Sequence, residues 1–323
     1  METRFITPDA EHTMSRQPII VGVDASPEAV TAVKCAMELA DRAGARCQLV
    51  HAVREFWFAG ATSAEIAADV GSFNRAIVAE ARGYLSEILK GKVPPYLIEE
   101  LLIEGGAPAD VLNAVAQRFG AQLIVLGGKH HSTLGRWLSG STSLNVARTA
   151  TIPVLVTAGE RLPVRRILAA VDSSAAAGPT LDVAHHFASL FEADLRVLSV
   201  LEPLPIFADG SVPAVDPSRY FELCRETLQN DLAPRLEQFG GTLMIRYGTP
   251  VATILGEATL WPADILVVGS HGKTWAQRLM LGSATEKLLN HLPTSVLVAP
   301  IRVTAPAKAE FAVEPAAALA AIG

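Results

Sequence analysis

Apolar positions along the chain switch between two periods, and the switching happens twice over. Short β-rich apolar runs open each half, at Ile19–Val23 and again at Ile167–Val171. Each run is followed by Ala and Leu at three-and-four spacing, Ala29–Ala43 and Thr180–Phe191, the period of an amphipathic helix. The pattern then predicts a strand (Gln48–Val53; Leu195–Leu201) and, after a loop, a long helix (Asn74–Leu89; Ser218–Phe239). A strand (Leu97–Ile103; Leu243–Arg246), a helix (Ala109–Phe119; Val251–Leu260) and a buried strand (Leu123–Leu126; Ile265–Val268) come next. A short helix (Thr142–Arg148; Ala284–Asn290) and a closing strand (Val154–Val156; Val296–Ala299) end each half. Ser26, Pro27 and Glu28 read as an N-cap, a proline in the first turn and an acid favoured by the helix dipole. Pro234 is expected to kink or split its helix.

Landmarks fix the repeat. Ile19-Ile20-Val21-Gly22-Val23-Asp24 returns as Ile167-Leu168-Ala169-Ala170-Val171-Asp172, a shift of 148. Gly106-Ala107-Pro108 returns as Gly248-Thr249-Pro250, and Val125-Leu126-Gly127 as Val267-Val268-Gly269, both at a shift of 142. Gly140 and Ser141 match Gly282 and Ser283 at that same shift of 142. The first half therefore holds a net six extra residues, for which the variable stretch Phe56–Phe73 is the natural place. Strands alternating with helices imply parallel βαβ units, doubly wound, with helices on both faces. The fold class is α/β, in two five-stranded layers joined by a short linker, Gly159–Pro163. The closing strands are apolar edges that need cover.

Charge changes the picture by exclusion. Lys and Arg number 27 against 33 Asp and Glu, a net charge of −6, so no global attraction draws the chain to nucleic acid or anionic lipid. Cys35, Cys47 and Cys224 form no CxxC pair, and neither a disulfide framework nor a zinc site is expected. Residues 1–17 lack the apolar core of a secretory signal, and no run reaches the length of a membrane span. The expectation is a soluble cytoplasmic protein.

The chemistry concentrates where the fourth strand of the second half runs into Gly269-Ser270-His271-Gly272, with Gly282 and Ser283 opening the next helix. Glycine at a strand exit lets the backbone approach a ligand, and a helix N-terminus presents N–H groups to an anion. In an open parallel sheet, ligands collect outside the carboxyl ends of the strands at the switch point. Asp172 and Gly269 then face one crevice if their strands are neighbours. Glycine, two residues, glycine, nine residues, Gly-Ser, after a Val-rich strand, together with the Asp after strand one and the Gly-x-Pro turn, resembles the universal stress protein family in its tandem form.

The resemblance covers residues 18–157 and 164–301, implying one domain in each, with 1–17 and 303–323 as loose tails. It implies strand order 3-2-1-4-5, closing strands paired antiparallel in an intrachain pseudo-dimer, and ATP in the crevice, accompanied by Mg²⁺. Carried over by position, Asp172 and Val200 meet the adenosine part. Gly269, Gly272, Gly282, Ser283 and Thr285 hold ribose and phosphates. The first-half counterparts are Asp24, Ala52, Gly127, His130, Gly140, Ser141 and Ser143. His130 replaces the second glycine; it either strains a positive-φ position or attracts phosphate as a cation.

Blander readings stand beside these. Asp24 and Asp172 serve a ligand or cap their loops. Arg136 and Arg278 contact phosphate or brace the surface. The Gly-x-Pro turns set helix entries, the four tryptophans pack, and His185-His186 belong to a helix surface. No catalytic residue and no metal ligand is assigned. No Walker motif is present, so the output expected is regulatory, with no or slow hydrolysis or self-phosphorylation. The alternatives are an interaction module that has lost nucleotide binding and, less favoured, a nucleotide-transferring enzyme of a related α/β class. Self-association of the tandem chain and an unidentified protein partner are left open.

Overall fold

The computed structural model describes residues 17–54, 64–128, 141–159, 162–203, 216–271 and 281–301. Residues 1–16 and 303–323 of the expected tails, together with His130, Arg136, Gly140, Gly272 and Arg278, lie outside the described residues.

In the first half the elements run β1 (Ile19–Gly22), α1 (Pro27–Ala43), β2 (Cys47–Val53), α2 (Ala64–Leu89), α3 (Pro95–Glu99), β3 (Leu102–Gly105), α4 (Pro108–Phe119), β4 (Leu123–Gly127), α5 (Ser141–Thr149) and β5 (Val154–Thr157). In the second they run β6 (Arg166–Ala170), α6 (Ala177–Phe191), β7 (Asp194–Leu201), α7 (Pro217–Phe239), β8 (Thr242–Tyr247), α8 (Pro250–Leu260), β9 (Ile265–Gly269), α9 (Ser283–His291) and β10 (Ser295–Ala299).

All strands join one ten-stranded sheet in the order β3-β2-β1-β4-β5-β10-β9-β6-β7-β8. Each half is parallel in the order 3-2-1-4-5, and the halves meet where β5 and β10 pair antiparallel, Leu155 opposite Leu297. The period of two sorts side chains to the faces. Ile19, Val21, Val125, Leu155, Ile167, Val267 and Leu297 share one buried cluster with α1 and α6. Ile20, Ile124, Val156, Leu168, Val268 and Val296 share the other with α4, α8 and α9. Both clusters cross the seam, so a single two-sided core serves both halves.

Four local expectations change. Leu97–Ile103 is not one strand: Pro95 opens the short helix α3, Leu97 and Leu101 are buried beneath it, and the strand starts only at Leu102. The extra residues of the first half sit there too. Residues 90–101 separate α2 from β3, against only Gly240 and Gly241 between α7 and β8. Pro234 does not split α7, because Pro234 and Asn230, whose carbonyl the ring deprives of a donor, both face solvent, where water can hydrate that carbonyl. Ser26 holds the N-cap position but makes no side-chain cap; its hydroxyl donates to Asp24 Oδ1 instead.

The Gly-x-Pro turns position helices as expected. Gly106 and Gly248 have φ of 142° and 148°, and their N–H groups bond the carbonyls of Val53 and Leu201 at 2.9 and 3.0 Å. Pro108 and Pro250 then start α4 and α8. Trp261 packs under two guanidinium groups, with Arg196 4.3 Å and Arg166 6.0 Å from its ring.

Candidate functional site

The sheet's β7-β6-β9 order makes β6 the switch point of the second half, since the chain leaves β6 for β7 on one side and β9 lies on the other. A cavity of about 410 Å³ opens at the carboxyl ends of these strands. Asp172, Val200, Gly269, Gly282, Ser283 and Thr285, predicted from widely separated segments, all line it.

Each arrives by a local device. Asp172 follows β6, and its Oδ1 accepts from the Ser174 amide at 3.0 Å and from the Ser174 hydroxyl. The same ring forms in the first half between Asp24 and Ser26, with the amide at 3.0 Å. Both aspartates thus shape the turn after the first strand, and each does so through one carboxylate oxygen. Val200 is held in β7 by its register with Arg246 of β8 and stands at the cavity wall. Gly282 is the N-cap of α9, and its N–H bonds the Ser270 carbonyl at 2.8 Å. Its φ of −58° is open to any residue, so backbone conformation does not require glycine there. Thr285, buried, donates its hydroxyl to the Gly269 carbonyl at 2.7 Å. That proton is committed, and only acceptor capacity is left for a ligand.

The two ends of the cavity differ in character. Asp172 and Glu202 put carboxylates at the β6-β7 side. At the β9 side, the first turn of α9 offers amides without intrahelical acceptors, and Lys287 adds a cation one turn on. His271 also lines the wall. Its Nδ1 lies 3.0 Å from Ser270 Oγ, and burial lowers the pKa of the ring below the usual 6.5. Among the described residues no group of three or more His, Cys, Asp or Glu could hold a metal ion.

The first half keeps the scaffold. Asp24 follows β1, Ala52 is held in β2 opposite Glu104, and Gly127 ends β4. Ser141 opens α5, and Ser143 is half-buried in its first turn. The packing at the strand exit is tighter, however. A Cβ on Gly127 would lie 2.7 Å from the main chain of Glu28, whereas one on Gly269 would meet nothing nearer than Thr180 Oγ1 at 3.0 Å.

A model of the universal stress protein family matches residues 15–158 and again 163–300. The chain belongs to the universal stress protein family. A universal stress protein of Mycolicibacterium smegmatis is 28% identical over 87% of this chain and 96% of its own length. Homolog 2 of universal stress protein A from Coxiella burnetii is 26% identical, over 38% of this chain and 86% of its own length. Among solved structures, a universal stress protein of Archaeoglobus fulgidus superposes with a TM-score of 0.56 at 16% identity, covering 88% of this chain and 98% of that one. At that identity the likeness is one of fold.

In this universal stress protein the sequence did not assign the polar cavity residues Thr180, Glu202, Thr249, His271 and Lys287 to the site. His271 lies inside the glycine motif and Thr249 inside the Gly-x-Pro turn, so both were readable from position. Glu202 and Lys287 were not, because their first-half counterparts, Arg54 and Asn145, differ in charge and the repeat comparison passes over them. No helix among the described residues is long and apolar enough to cross a membrane.

Proposed function

We propose that the chain binds ATP in the crevice of its second half and that occupancy, rather than turnover, is the output, read by a protein partner or a second copy of the chain. The observation that carries the reading is the convergence of Asp172, Val200, Gly269, Gly282, Ser283 and Thr285 on one cavity. Its volume of about 410 Å³ lies within the ordinary range for small-ligand sites. Its polarity suits a nucleotide. Carboxylates at one end accept from hydroxyl or amino groups, and the N-terminus of α9 with Lys287 at the other end meets negative charge. Mg²⁺ would arrive on the phosphates, needing no cage of protein ligands.

Titration calorimetry of the full chain with ATP and Mg²⁺ tests the reading, together with mass analysis of small molecules released from purified protein. Gly282→Val should weaken binding tenfold or more, about 1.4 kcal/mol, because its side chain enters the phosphate path. No phosphate release, or release slow against dissociation, is expected. A folded chain that binds no adenine nucleotide would leave the interaction-module reading in its place.

A further inference from the structure

The strands that close the seam do not distinguish one half from the other. β5 and β10 both carry Val-Leu-Val, at residues 154–156 and 296–298. They pair antiparallel with Leu155 opposite Leu297, and these two are counterparts at the shift of 142, so the pairing is two-fold about that point. Two first halves, or two second halves, would offer each other the same apolar residues and the same main-chain ladder. A preference among these pairings has to come from the flanks of the strands.

Two flanking contacts supply one. The Ala158 N–H, buried just past β5, donates across the seam to Ser295 Oγ at 3.0 Å. The two-fold operation turns this contact into Pro300 against Pro153. Those two cannot make the bond, because proline has neither an N–H nor a hydroxyl. The second contact is one of size. Leu292 caps α9 in left-handed backbone, with φ 37°, and is buried. Its Cδ1 occupies the space where a Cβ on Gly128 would lie. The two-fold operation turns this pair into Ala150 against Ser270.

Like halves would lose both contacts. With two first halves, each Ala158 N–H meets Pro153 and stays buried without this acceptor, and Ala150 leaves the space beside Gly128 unfilled. With two second halves, each Ser295 hydroxyl meets Pro300, and Leu292 runs into the side chain of Ser270 where it now finds glycine. Each like pair carries its faults twice, and the unlike pair strands neither group.

We infer that the seam is selective: Ala158 with Ser295 and Gly128 with Leu292 make a first half accept a second half and refuse a copy of itself. A second copy of the chain then joins through another surface, or by exchanging whole halves. The inference does not depend on what the crevice binds.

The test blocks closure within the chain and lets full-length chains pair with each other, in a Cys224→Ser background. One chain carries Leu155→Cys with Leu297→Asp, so that a buried charge leaves it the first-half seam alone. The other carries Leu297→Cys with Leu155→Asp and keeps the second-half seam alone. Residues directly opposite in an antiparallel pair lie within disulfide reach. Under a mild oxidant, the mixture should give about tenfold more crosslinked dimer than either chain by itself. Equal crosslinking of either chain alone, or none in the mixture, would overturn the inference. Adding Leu292→Ala and Ser295→Ala to the second chain leaves the Val-Leu-Val ladder intact and should abolish most of the preference; a preference that survives would also overturn it. If a blocked chain fails to fold alone, helical circular dichroism replaces the crosslink: recovery on mixing supports the inference, and no recovery rejects it.

Discussion

Thr285 donates its hydroxyl to the carbonyl of Gly269 at 2.7 Å, tying the first turn of α9 to the end of β9. Because Thr285 is buried, Thr285→Val keeps the shape and removes the bond, leaving the carbonyl without this donor. The loss should cost about 1 kcal/mol of stability. The cradle formed by Gly282 and Ser283 would also lose an anchor, so nucleotide affinity should fall with stability. Denaturant unfolding and ATP titration of one variant check both parts; unchanged values would mean that the anchor is dispensable.

Gly248 joins β8 to α8 at φ 148°, and an added Cβ would lie 2.7 Å from Thr253 Oγ1. Gly248→Ala should destabilise by about 1–3 kcal/mol through backbone strain alone. Adding Thr253→Ala should not recover the loss, because strain in φ survives removal of the clashing hydroxyl. Recovery in the double variant would assign the cost to the clash.

What was readable in the sequence follows what repeats. The apolar runs at Ile19 and Ile167, the Gly-x-Pro turns and the Gly-Ser pairs occur twice at fixed shifts, and a doubled pattern separates structure from accident. The doubled runs led to parallel strands in each half and to apolar closing edges that need cover, while the strand order and the antiparallel seam, with Leu155 opposite Leu297, were what the family resemblance implied. The sequence was opaque where a residue acts alone. Leu97–Ile103 is apolar enough for a strand, yet Pro95 and burial of Leu97 make a helix of its start. Polarity at Glu202 and Lys287 could be weighed only once the sheet order had brought both to one cavity.

The thiols of Cys35 and Cys47 are pushed up to about 12 by burial, with Glu38 and Asp41 adding to the respective shifts. A thiolate is the reactive form, so both should resist alkylation in the folded chain. Partly exposed Cys224 should react first with iodoacetamide at pH 8, and the other two only on unfolding. Peptide mapping of the labelled protein gives the order. Early labelling of Cys35 would mean that α1 opens locally.

His271 gives the site a pH dependence whose sign can be worked out. Burial lowers its pKa below the usual 6.5, so the folded chain takes up the proton less readily than the unfolded one. Above pH 6.5 the ring is neutral in both states and carries no penalty. As pH falls through 6.5, the unfolded state protonates first, and stability drops until the folded ring also titrates. The loss between pH 7.5 and pH 5 should therefore be larger in wild type than in His271→Gln, which keeps a polar partner for Ser270 without titrating. On the proposed reading of the site, bound nucleotide should reverse the trend locally. Phosphate near the ring favours its charged form, so ATP should raise the pKa of His271 and weaken the acid loss. Denaturant midpoints at the two pH values, with and without ATP, measure both effects. Equal losses in wild type and variant would remove His271 from the titration. A wild-type excess that ATP leaves untouched would place the phosphates away from the ring.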